Sequence, residues 1–129
     1  MKPGKEAVFL RLKHSLQALA IPPDEQLGLF PEFVCKADEL ALDYSHWLEC
    51  AVGNYPQEFT GEQRHFLENV DGVLESMSGA ENAHLWTDDA LRYSVEWSNV
   101  RVLAEEALKT LGWETEVPPS RGDEFVPGS

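Results

Sequence analysis

The chain lacks the motifs by which most enzymes are recognised. It has no glycine-rich phosphate loop, no G-x-S-x-G, no C-x-x-C and no H-E-x-x-H. No apolar run approaches the roughly 18–20 residues of a membrane span. The basic N-terminus is followed by an interrupted, amphipathic pattern with no small-residue cleavage site, so no secretory leader is expected and the expected address is cytoplasmic. Cysteine is scarce as well. Cys35 and Cys50 are the only two, and both fall on one predicted helix. At the helical rise they lie about 22 Å apart, well past the roughly 7 Å limit for a disulfide. Two free thiols are expected, which suits a reducing compartment.

Positive charge is the other scarcity. Ten basic residues stand against 23 acidic ones, for a formal net charge of −13. The imbalance is uneven. Residues 1–22 carry Lys2, Lys5, Arg11 and Lys13 against Glu6 alone, while the rest of the chain holds 6 basic and 22 acidic residues. Such a body repels nucleic acid phosphates and anionic membranes. It steers basic partners toward itself. The plainer alternative is that the acid only keeps the protein soluble.

What the chain does have is helical patterning. Its 129 residues are 43% hydrophobic with four Trp, enough for one domain with a core of its own. The widest apolar stripe runs from Pro31 to Val52. Val34, Ala37, Ala41, Tyr44, Leu48 and Ala51 recur at steps of three and four. Phe33, Leu40, Trp47 and Val52 widen it to about 140°. This predicts the central helix of a bundle, opened by Pro31 at its first turn.

Before it, Lys5–Ala20 reads as a helix with Val8, Phe9, Leu12, Leu16 and Leu19 inward and Arg11, Lys13, His14 and Gln17 outward. Pro22-Pro23 ends that helix, and Asp24–Phe30 suits one short helical turn. After it, Gly53-Asn54-Tyr55-Pro56 is a stop. Thr60 with Gln63 has capping-box spacing and opens a helix whose inward face is Gln63, Phe66, Leu67, Val70, Val73, Leu74 and Met77.

Ser78-Gly79 ends that helix, and Leu85 and Trp86 are the expected buried anchors of the connector. Thr87 caps a short helix to Tyr93, read as separate from or continuous with the last helix. There Trp97, Val100, Ala104, Ala107, Leu108 and Leu111 face inward. Gly112 and Trp113 fit a Schellman ending on Leu108. The expected fold is all-α: a helical bundle of four main helices over residues 1–116, with one or two short ones, and a flexible tail over 117–129.

The candidate chemistry is sparse. Cys35, Glu39, Asp43, His46 and Cys50 share the outer face of the predicted central helix, and Asp43 with His46 and His65 with Glu68 stand three apart. Di-iron bundles use Glu-x-x-His on two helices, which neither pair reproduces. No metal, cofactor or catalytic residue is assigned. A reactive thiol also wants an electropositive setting, unlike this one.

The assigned residues are acidic stripes for a partner: Glu68, Asp71 and Glu75 on one helix, and Asp38, Glu39, Asp43 and Glu49 on the central one. Val95 and Val102, with Leu42 and Leu10, are expected outward and suit a partner or oligomer surface. In size, acidity and helicity the chain is similar to small bacterial immunity proteins, which neutralise a basic toxin by covering its active site with acid. The likeness is one of class and no motif carries it. The expected function is non-enzymatic capture of a basic protein partner, as a monomer or homodimer. A helical scaffold or adaptor is the second expectation and a metal-dependent enzyme the third.

Overall fold

The structure, a computed structural model, describes residues 4–119. Six α-helices and two 3₁₀ turns account for its regular elements, and no strand occurs among the described residues. Helix α1 (Lys5–Ala20) buries Val8, Leu12, Leu16 and Leu19 as its spacing requires. It stops before Pro22-Pro23, and Pro23 opens the single turn α2 (Pro23–Leu27). Gln26, fully buried, donates Nε2–H to the carbonyls of Ala18 and Leu19 at 2.9 and 3.2 Å. It thereby satisfies two of the acceptors that the end of α1 leaves open. Its own Oε1 accepts from Arg101 Nη1 at 3.1 Å.

Helix α3 runs Lys36–Asn54, so the start expected at Pro31 is displaced to Lys36. Leu29 and Phe30 are buried and anchor the chain before Pro31. The Pro31 carbonyl then takes the Val34 N–H in a turn instead of opening a helix. Phe33 consequently leaves the apolar arc and stands 61% exposed. Cys35 becomes the residue before the helix rather than part of it. The rest of the stripe holds: Ala37, Leu40, Tyr44, Leu48 and Ala51 are buried.

Helix α4 (Gly61–Ser76) starts at the expected capping box, with Thr60 Oγ1 accepting from Gln63 N–H at 3.0 Å and Gln63 Oε1 from Thr60 N–H at 2.9 Å. Gly79, at φ +105°, turns the chain into the 3₁₀ segment Ala80–Leu85. Helix α5 (Asp88–Tyr93) is capped by Thr87. Ser94 then adopts an extended backbone and caps α6 (Val95–Leu111), so the two are separate helices. Gly112 is left-handed at φ +74°, Trp113 N–H donates to Leu108 O at 2.9 Å and Gly112 N–H to Lys109 O at 3.1 Å. That is the Schellman pattern.

The helix expected to be central is not. Helices α1 and α6 form the middle of the bundle, with α3 packed on α1 and α4 on α6. Consecutive in sequence, α3 and α4 touch only lightly. Two devices set that spacing. Phe9 of α1 packs on Tyr55 and Phe59 in the α3–α4 connection, at 6.0 and 5.3 Å between ring centroids. Tyr44 spans the interval from α3, and its hydroxyl donates to Leu67 O on α4 at 2.7 Å.

One outward assignment fails near the end of α1. Gln17 is buried, because its Nε2–H donates at 2.9 Å to the carbonyl of Glu114 in the returning C-terminal segment. Pro118 in the same segment is also buried, within the stretch 117–129 expected to be a flexible tail. The remainder of the expected tail, from 120 onward, lies outside the described residues.

Candidate functional site

The light contact between α3 and α4 leaves an open groove along the molecule. Its larger part is a cavity of about 670 Å³. Helix α3 contributes Asp38, Ala41, Leu42 and Ser45, and α4 contributes Asp71, Leu74 and Glu75. The connector closes the end with Ser78, Gly79, Ala83 and Trp86. A second cavity of about 390 Å³ continues along the same helices, lined by Leu48, Glu49, Val52, Gly53 and Glu68 together with Ser45 and Asp71. Ser45 and Asp71 belong to both, so they mark the join.

Five of the seven acidic residues assigned from sequence meet here: Asp38, Glu49, Glu68, Asp71 and Glu75. The two stripes treated separately in sequence are the two banks of one groove. Glu39 and Asp43 do not line it; Asp43 acts instead on His14 of α1. Among the described residues, no lysine, arginine or histidine lines either cavity. Asp38, Glu49, Glu68 and Glu75 are exposed, whereas Leu48 and Leu74 between them are buried. The groove therefore has charged rims and an apolar floor.

Asp71 differs from the other four. It is half-buried where they are exposed. Burial first, then the neighbouring Glu75 carboxylate, raise its carboxyl above the ordinary 3.8, while a side-chain hydrogen bond with Ser45 opposes the rise. The sign was legible: Asp71 stands four residues after Leu67 and three before Leu74, both buried, so it shares their side of α4. Burial also pushes the Tyr44 phenol well above its usual range, and Asp71 and Glu68 add to this. At the groove's end Cys35 Sγ–H donates to Trp86 O at 3.6 Å. Burial holds the Cys35 thiol above its usual value, the opposite of an activated nucleophile.

The candidate metal pairs are not brought together. Glu68 is paired with Arg64 at 3.2 Å, His65 contacts Asn69 at 3.4 Å, and His46 Nε2 faces Cys50 Sγ at 3.8 Å. No group of three or more potential ligands that could hold a metal ion occurs among the described residues. Both cysteines are free. No helix of the described residues is long and apolar enough to cross a membrane.

What sequence reading missed is the apolar half of the groove. Leu42 was identified as outward but not as beside an acidic rim. Trp86 was expected to be an ordinary buried anchor; it is half-buried and forms the end wall. Ser45 and Ala83 carried no signal in the sequence. No family model, curated protein or solved structure matches the chain. Function must be argued from the groove itself.

Proposed function

We propose that the protein is a non-enzymatic binding domain that captures a basic protein partner in the α3–α4 groove. The observation that supports this best is the convergence of five carboxylates from two helices on one groove that has an apolar floor and, among the described residues, no lining cation. Solvated acid spread for solubility would not need that convergence. The exposed carboxylates steer a cationic partner and accelerate encounter. Removing apolar surface from water at Leu42 and Trp86, beside the buried Leu74, then holds it. The role matches, in class, that of a bacterial immunity or antitoxin-type protein acting on a basic toxin in a reducing, cytoplasmic setting.

Charge reversal tests the reading. Asp38→Lys, Glu68→Lys and Glu75→Lys together should abolish capture of partners from the native cell lysate. The same change of charge at Glu25, Glu32 and Glu106, exposed acids that do not line the groove, should leave capture nearly intact. Equal losses in both triple variants would reduce the acid to a general surface property.

A homodimeric scaffold is the second reading. It draws on Val95 and Val102, which stand 71% and 54% exposed on α6. Sedimentation of the protein as a dimer that Val102→Lys dissociates would favour it.

A further inference from the structure

Resting on the capture reading above, we propose that the groove receives its partner as a cationic amphipathic α-helix, seated where a bundle helix would lie between α3 and α4. The walls set the shape. Two long helices run beside each other and barely touch, so an added helix packs its ridges against both. From Asp38 to Gly53 the α3 wall extends about 22 Å, which matches about four helical turns.

The chemistry is arranged in bands along that length. Leu42, Leu74 and Trp86 give the larger cavity an apolar surface, and Leu48 and Val52 continue it into the smaller one. Asp38 and Glu75 flank the first part; Glu49 and Glu68 flank the second. A helix with one apolar stripe lays it along this floor, while lysine or arginine on either side extends aliphatic stems over the walls and brings its charge to the rims. At the join, Ser45 and the half-buried Asp71 offer one polar position at mid-groove, suited to a single cationic side chain.

The competing modes fit less well. An extended segment recognised by strand addition needs an open sheet edge, and no strand occurs among the described residues. A polyproline segment wants an aromatic-lined groove, and here Trp86 is the single aromatic among the described lining residues. Charge excludes an acidic helix. A second copy of this chain is disfavoured by its own net charge of −13.

The test uses two synthetic leucine–lysine peptides of about 15 residues, the length of the groove. Both have one composition. One has its leucines at helical three-and-four spacing; the other spreads them around the helix. Titration calorimetry with the full-length protein should give one-to-one binding of the first peptide, with gain of helix by circular dichroism. The second peptide should bind at least about tenfold more weakly. Leu42→Ser and Ala83→Lys, at positions already exposed, should weaken the first peptide by a similar factor without changing the melting curve.

Equal, salt-sensitive binding of both peptides would overturn the helix fit and leave capture of basic partners standing. Binding of neither would overturn both. Tight binding of the first peptide that ignores both variants would place it elsewhere and overturn the groove. A free protein that sediments as a dimer, and as a monomer with Leu42→Ser, would assign the groove to a second copy instead.

Discussion

Trp86 stands edge-on to the buried Trp97, with ring centroids 5.4 Å apart and planes at 86°. Each indole N–H is spent on a carbonyl: Trp86 donates to Met77 at 2.8 Å and Trp97 to Leu85 at 2.6 Å. The wall of the groove is thus fixed to the core by an edge-to-face pair. A partner meeting Trp86 meets a surface already in place, which lowers the ordering cost of association.

Trp86→Phe keeps an aromatic ring but removes the donor to Met77. The expected loss is about 1 kcal/mol for that hydrogen bond, read as a fall in melting temperature of about 3–5 °C for a domain of this size. An unchanged melting curve would mean that Trp86 is not held by Met77 in solution.

Asp71 contributes a pH signature. Its folded-state carboxyl is raised, so ionising it costs the folded protein stability. That stability is fully present at low pH and is lost as pH rises through the folded value. Asp71→Asn removes the cost while preserving an acceptor for Ser45. At pH 7 the variant should melt higher than the wild type, and the gap should close as pH falls toward the ordinary 3.8. Urea melts of both proteins across that range check it. A gap of constant size would assign the gain to something other than the charge.

How much of this was legible in the sequence depends on the range of the interaction. The termini of α4, α5 and α6 were readable because Thr60, Thr87 and Gly112 act on backbone groups within a few residues. The start of α3 was not, because burial of Leu29 and Phe30 in the core overrode the helix-opening preference of Pro31. Gln17 was misplaced for the same reason: its partner lies in the segment after α6. The acidic stripes were found by periodicity, which assigns residues to faces of one helix. Periodicity cannot tell which faces of two helices meet, so the groove emerged only with the packing of α3 on α1 and α4 on α6.

The contact between Gln17 and the C-terminal segment can be read from two truncations. Deleting residues 114–129 removes the acceptor of the buried Gln17 amide and uncovers the site of Pro118. An unpaired buried donor costs about 1–3 kcal/mol, so this truncation should melt about 4 °C or more below a chain ended after residue 119. Identical melting of the two truncations would show that the contact with Gln17 contributes nothing.

On the proposed function, a basic partner is held in the α3–α4 groove. Amide chemical-shift mapping with the leucine–lysine peptide of helical spacing tests it most directly, because it reports position rather than affinity. The largest shifts should fall at Leu42, Ser45, Asp71 and Ala83 and at the Trp86 indole N–H, should saturate together, and should shrink as salt rises. Shifts concentrated on the outer faces of α1 or α6, or spread without saturation over every exposed acid, would contradict the account.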